Sequence, residues 1–528
     1  MAVYRPIPLK FAPSSTSSVS TMGQMGVNKA IAPQFLDTRF ALDIVNYEIE
    51  GVGRLIKRNG IEKIFEVVGN YPITMLKKWG NVWVFGYNTT VAVYFPGTGI
   101  IEDVKTDFAS GTKFEGVPYG EYFFVCDGVG KVYRLVLSGL IYTATEVVDS
   151  PEGAVGLNAI KARLYAWKGD TVYYSSVDDG TNPPFTDWTV STDVSKGGKV
   201  NYRNAGDVRA VVPLGEHNVV FSDRGFFAFK FDTIDNAGAL RKVETVTKYQ
   251  EDFGGSRAAI NTPIGVFYVN EAGLWHMTAL GHTNVPYSKQ EVLVSRNLGN
   301  RYFEDVSLKE ADIAYDIKKS CVYIACARES EANNLLIVFN VDYKAFYKFT
   351  GWNVNRFMRI DTDYYIGASN KTAVYKLFSG FTDDGQTIST RYYQELKLGD
   401  LETRQDLHEM YTQGFLSQSS KIKVRFDTYN KRGILVNDKA EYEWTAQYSV
   451  GGMDSYNSGR YSRTPYNGDI EKPGMVECFD GVKTKIRNFN RIRVNITSGD
   501  KVPHEITWIK LNARVKGRSR RRSIVKIN

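Results

Sequence analysis

Short apolar, aromatic-rich runs recur along this chain, each followed by a tight polar turn with Gly or Asn and a second apolar run. The clearest copies are Tyr122 to Arg134 and Gly265 to His276. Related copies run from Val82 to Tyr94, Arg163 to Tyr174, Asn218 to Phe227 and Tyr364 to Tyr375. Their turns fall near residues 88, 128, 169, 224, 271 and 370, with a further strand set at 312–349. The spacing, roughly 40–60 residues, is close to the period of a propeller blade. A lone hairpin cannot bury its own face, so successive units must pack radially. The pattern predicts an all-β chain with a β-propeller of repeated antiparallel hairpins over 61–380. Pro183 and Pro184, and the turn Phe253 to Ser256, read as connections between blades. The stretch 282–312 is less regular and accommodates a short helix, and 282–350 reads as one blade or as parts of two.

From about residue 381 the repeat gives way to strict alternation. Lys421 to Asp427, Arg491 to Thr497 and Ile506 to Val515 alternate polar and apolar residues, and Ile388 to Leu398 does so less strictly. Period-two alternation means one buried and one wet face, and basic residues fill the wet face of several of these strands. Residues 381–515 therefore read as a β-sandwich-like platform, with a Tyr-, Gly-, Asn- and Ser-rich excursion at 428–480 that is either a loop or an extra hairpin. At the other end, 1–35 reads as a flexible arm in which Ser14 to Thr21 is a low-complexity linker. Residues 36–60 read as an entry segment, helical or extended, that contributes to the ring body and closes on Asn59–Gly60, a pair suited to a tight turn because both tolerate positive φ.

Composition sharpens this picture. Aromatics make up 13% of the chain and 33 residues are Tyr, a mix that suits half-buried pleated surfaces. No apolar run is long enough to cross a bilayer as a helix, and the N-terminal residues lack the apolar core of a signal peptide. The expectation is a protein that acts in the cytosol where it is made, or that leaves by assembly or lysis. Four cysteines in 528 residues make no disulfide framework; Cys321 and Cys326 fall on one strand facing opposite sides, as buried structural thiols do. The net charge of +8 is modest, but the last residues are strongly basic: Lys516, Arg518, Arg520, Arg521 and Arg522 stand together without an acid. Three readings of this 516–528 tail stay open: docking in an acidic groove of a partner, contact with nucleic-acid phosphate, or a solvated tail.

Candidate chemistry is sparse. The five histidines, His217, His276, His282, His408 and His504, form no metal-ligand pair. Neither a nucleophile elbow nor a P-loop is present. Ser176 to Gly180, followed by Trp188, is similar to the Asp-box of sialidase propellers, but the spacer is long and there is one copy. Asp178–Asp179 and Asp383–Asp384 sit in Gly-flanked segments and read as turns. No cofactor, metal or catalytic residue is assigned. A carbohydrate-binding or carbohydrate-cleaving propeller is the alternative class, and it requires carboxylates that converge at the propeller centre.

The order of features is more informative than any motif. A small-residue arm precedes the segment Asn46 to Gly60 with its Gly-x-Leu-x-Lys-Arg-x-Gly run. Hairpin repeats follow, with Tyr173 to Trp188 between them, and the chain closes on Arg493 to Ile496 and Ile506 to Leu511. Over about 36–515 this order resembles the tail-nozzle, or tail-hub and stabilisation, proteins of short-tailed bacteriophages. The resemblance implies a virion structural protein without an active site, forming a ring with itself, usually of six copies. That ring lies below the portal and its adaptor, meets tail fibre or spike proteins, and lets double-stranded DNA pass through its channel. In that setting Lys10 and Phe11 of the arm, and Lys516, Arg518, Arg520, Arg521 and Arg522 of the tail, are the expected docking residues.

Overall fold

The computed structural model describes residues 15–20, 22–51, 53–109, 111–138, 141–177, 187–191, 196–203, 205–215, 217–229, 247–248, 256–278, 291–298, 305–396, 398, 403–417, 419–445 and 475–516. They belong to two compact units. One is continuous, 60–384; the other is built from the chain on either side of it, up to residue 59 and from 385 onward.

Among its described residues, the continuous unit contains seven groups of four antiparallel strands, six of them separate four-stranded sheets, so this all-β unit is a propeller of seven blades. The first strands of blades one to seven are Ile73–Trp79, Glu115–Tyr119, Gly156–Ile160, Val208–Leu214, Ala259–Thr262, Ser307–Asp316 and Val354–Ile360. Each lies against the first strand of the next blade, and that of blade seven returns to that of blade one, which closes the ring. Asn355 Nδ2 donates to the Ile73 carbonyl at 2.7 Å across that seam. Blade seven takes its outer strand, Ile61–Glu66, from the segment that precedes blade one. The ring is thereby locked by pairing of strands distant in sequence. The ambiguous stretch resolves into two parts: Glu291–Leu293 is the outer strand of blade five, a 3-10 turn follows at Val294–Leu298, and 307–350 is blade six.

The hairpin aromatics fill the spaces between blades. Phe65, Ile73, Leu76, Trp83, Phe85 and Val374 make one core shared by blades seven and one. Tyr165, Trp167, Tyr174, Tyr202 and Phe227 fill the gap between blades three and four. Cys321 and Cys326 are buried, as expected. Asn59–Gly60 is not the tight turn its sequence suggests, for neither residue has positive φ. Gly60 is required instead by close approach: a Cβ there would stand 1.8 Å from the Thr382 carbonyl oxygen.

The second unit contains two antiparallel sheets. One pairs Tyr47–Glu50, Arg54–Lys57, His504–Lys516, Arg404–Ser417 and Met475–Phe489 in that order. The other orders Asp43–Val45, Thr390–Leu396, Arg491–Ser498, Lys421–Tyr429 and Leu435–Thr445. Trp444 of the second sheet packs within 3.0 Å of where a Cβ on Gly414 of the first would lie. The predicted alternation is observed: in Arg491–Ser498 every second residue is buried. The lead-in is extended rather than helical, contributing Asp43–Val45, Tyr47–Glu50 and Arg54–Lys57. Two expectations change. Ser15–Ser20, read as linker, is a strand paired with residues 509–514; a polar run lacks apolar period yet still supplies backbone hydrogen bonds. The excursion 428–480 includes the strand Leu435–Thr445, hairpinned onto Lys421–Tyr429, and the start of Met475–Phe489; its remaining part, 446–474, lies outside the described residues.

A buried polar network ties this unit together. Lys57 Nζ donates to the Asp500 carbonyl at 2.5 Å, to Asp500 Oδ1 at 2.9 Å and to the Val502 carbonyl at 3.1 Å. His504 is wholly buried, with Nε2 2.9 Å from the Tyr47 hydroxyl and Nδ1 3.7 Å from Asp500 Oδ1. Burial pulls His504 below its ordinary range against the opposing charge of Asp500, and Lys57 adds to the fall. Burial alone would raise Asp500, but its contacts with His504 and Lys57 outweigh this and hold it far below the usual carboxylate range. Both folded values are depressed, so both groups contribute stability above their unfolded values, about 6.5 and 3.9. That stability is lost as pH falls, His504 first. The melting temperature should therefore drop between pH 7.5 and 5. His504→Gln should flatten that slope in a pH series of thermal melts, while the acid limb of Asp500 persists in weakened form because Lys57 still holds the carboxylate.

Candidate functional site

The first strands of the blades surround the ring axis and place both apolar and polar residues along it. A cavity of about 1150 Å³ lies there. Its charged lining includes Lys77 of blade one, Glu115 of blade two, Glu310 and Asp312 of blade six and Arg356 of blade seven, with Arg257 just ahead of blade five. Arg356 is 4% exposed. Its Nη1 donates to the Asn355 carbonyl at 2.5 Å. Its Nε and Nη2 have no hydrogen-bond partner among the described residues; the nearest carboxylate oxygens, on Glu115 and Glu310, are each 3.8 Å away, outside hydrogen-bond reach. Glu115 is also ion-paired with Arg257, and Glu310 with Lys113. Asp312 Oδ2 accepts the Phe357 amide at 2.8 Å, which fixes that carboxylate on the wall between blades six and seven.

Electrostatics follow from crowding. Burial lowers Lys77, and the neighbouring guanidiniums of Arg257 and Arg356 lower it further against the pull of Asp312. Burial, then Arg356, lowers Arg257. Burial lowers Arg356 against Asp312 and Glu310. Lys77, Arg257 and Arg356 thus share a confined space with Glu115, Glu310 and Asp312, among other charges of the lining, with one guanidinium edge unfilled. At the cavity rim Arg209 holds Asp223 through two bonds, Nε to Oδ1 at 2.6 Å and Nη2 to Oδ2 at 3.1 Å.

Sequence reasoning did not find these residues, because they are spread between positions 77 and 356 and only the closed ring brings them together. A faint signal exists: each is a charge that interrupts, or stands just ahead of, the first strand of a hairpin unit. The residues the sequence did select are placed elsewhere. Lys10, Phe11, Arg518, Arg520, Arg521 and Arg522 lie outside the described residues. Lys516 ends the strand His504–Lys516, where its backbone pairs with Arg404. Of the box-like segment, Asp178 and Asp179 lie outside the described residues, while the Ser176 amide donates to the Asp187 carbonyl at 2.8 Å and Trp188 is buried. Asp383 accepts from the Trp352 indole at 2.8 Å, and Asp384 takes a positive φ of 50°, consistent with a turn. His276 is packed, stacked on Phe267 with centroids 4.3 Å apart.

No family profile and no curated protein sequence matches the chain. Solved structures do resemble it. The extracellular domain of a one-component system from Bacteroides thetaiotaomicron is 11% identical with a TM-score of 0.41, covering 62% of this chain, which spans 41% of that one. The computationally designed protein Ika8 is 13% identical with a TM-score of 0.35, covering 67% of this chain and 99% of its own. The CNH domain of AfRom2 is 11% identical with a TM-score of 0.38, covering 60% of this chain and 99% of its own.

Proposed function

We propose that this chain is a structural virion protein of a short-tailed bacteriophage. In this reading it is a subunit of the ring-shaped tail nozzle below the portal and adaptor, extending the DNA channel and retaining, then releasing, the genome. The observation that carries the reading is the discontinuous build. A propeller, complete with its own closing strand, is inserted between residues 59 and 385 of a β platform whose strands come from both sides of it. This matches the order of features that the tail-nozzle resemblance rests on. A ring requires broad side-to-side interfaces, and surfaces rich in Tyr, Phe and Arg suit them. The partners are further copies of the chain, the portal-adaptor ring, tail fibre or spike proteins, and the double-stranded DNA in transit. The arm with Lys10 and Phe11, and the tail with Lys516, Arg518, Arg520, Arg521 and Arg522, are the docking segments, whose ordering cost is offset by avidity in a multi-copy ring. Quantitative mass spectrometry of gradient-purified particles tests this. A fixed ratio of about six chains per portal ring, as the resemblance implies, supports it, and a chain confined to the soluble lysate refutes it.

A second reading, a carbohydrate-binding or carbohydrate-cleaving propeller, is favoured by one observation: Glu115, Glu310 and Asp312 converge with Lys77, Arg257 and Arg356 at the propeller centre.

A further inference from the structure

The cavity at the propeller centre contains donors without acceptors. The Nε and Nη2 atoms of Arg356 form the planar edge that a guanidinium offers to a carboxylate, and both are buried and unfilled among the described residues. Asn270, 3% exposed, also lines the cavity. Its Oδ1 accepts from the Ala272 and Gly273 amides and from the Trp275 indole, at 3.0, 3.2 and 2.8 Å. Its Nδ2 has no acceptor among the described residues. Buried donors left unfilled are costly, so the site favours a guest that brings oxygen acceptors. Two further cations, Lys77 and Arg257, line the same cavity and attract a negative charge on that guest.

The same walls hold acceptors that a bare anion would not satisfy. Glu115 and Glu310 face Arg356 at 3.8 Å, too far for hydrogen bonds to it, and can accept from hydroxyl groups. The volume, about 1150 Å³, lies slightly above the usual range of small-ligand sites, about 300–1000 Å³. A molecule that meets both halves carries a carboxylate for the Arg356 edge and several hydroxyls for the glutamates.

We propose that the propeller channel binds an acidic saccharide, its carboxylate held by Nε and Nη2 of Arg356 and its hydroxyls donating to Glu115 and Glu310. This site depends only on the propeller and stands whether or not the chain is a nozzle subunit; relative to the carbohydrate reading, it specifies the class of sugar.

The test is calorimetric titration of the full chain with glucuronate, glucose and inorganic phosphate, with folding followed by circular dichroism. Glucuronate should bind saturably and at least tenfold more tightly than either of the others. Arg356→Gln should weaken it by about tenfold to a hundredfold, the range for loss of charged hydrogen bonds. The exposed Lys199→Gln should leave it unchanged. If Arg356→Gln does not fold, Asn270→Asp serves, since it keeps the Oδ1 acceptor of the turn and turns the free donor into a repelling charge. Glucose binding as tightly as glucuronate would leave a carbohydrate propeller but overturn the acidic class. Phosphate binding as tightly would reduce the site to a bare oxyanion site. No glucuronate binding, or binding that both variants leave intact, would overturn the inference outright.

Discussion

Replacing Glu395 by alanine should lower the stability of the platform by about 3–5 kcal/mol, the range for removing one partner of a buried ion pair. Glu395 is 4% exposed on the strand Thr390–Leu396. It accepts from Arg491 Nε at 2.6 Å and Nη2 at 2.7 Å, a bidentate fork, and from Arg493 Nε at 2.9 Å. Arg493 is its direct cross-strand partner. Arg493 also donates to the hydroxyls of Tyr393 and Tyr429, at 3.3 and 3.2 Å, and lies over the Tyr429 ring at 4.5 Å. Removing the carboxylate leaves two guanidiniums with little solvent and without the ion-pair partner they share. Glu395→Gln keeps the shape and one acceptor, so its loss should be smaller. Urea unfolding checks both. Because the pair is shielded from solvent, the difference between Glu395→Ala and the parent should change little with added salt. A loss under 1 kcal/mol would mean that the arginines find other partners.

Phe85→Ala should be comparably severe for the propeller, again about 3–5 kcal/mol. Phe85 is wholly buried in blade one. Its ring centroid lies 5.0 Å from that of Phe65, on the closing strand of blade seven, and 5.7 Å from that of Tyr87, stacked. Ile73, Met358 and Val374 complete the same core. The cavity would open against Phe65 and Val374, on the two strands whose pairing closes the ring. In a two-unit chain the expected signature is a propeller transition displaced to lower urea with the platform transition unmoved. Phe479→Ala, 53% exposed on the platform, provides the contrast and should cost well under 1 kcal/mol. Equal effects of the two would contradict the assignment of the closing core.

The fold was largely legible because its signals are local. Each turn read from the sequence falls within a blade, although the number of blades stayed open over 282–350, and the alternation in Lys421–Tyr429 appears directly as a burial pattern. What was not legible depends on pairing between distant segments. Ile61–Glu66 falls within the predicted propeller span, but nothing in its own sequence says that it completes blade seven rather than blade one. Ser15–Ser20 has no apolar period, yet it pairs as a strand. Arg491 and Arg493 read as wet-face residues, but the buried Glu395 across the sheet draws them in. The candidate site was the least legible part: Lys77, Glu115, Arg257, Glu310, Asp312 and Arg356 are single charges that acquire meaning only when seven first strands surround one axis.

Gold-labelled antibody against the full chain, applied to intact particles and viewed by electron microscopy, reports where the protein resides. The nozzle reading predicts gold at the single tail vertex, on a stalk of six-fold symmetry below the portal. Unlabelled particles, with the protein free and monomeric in the lysate, would contradict it.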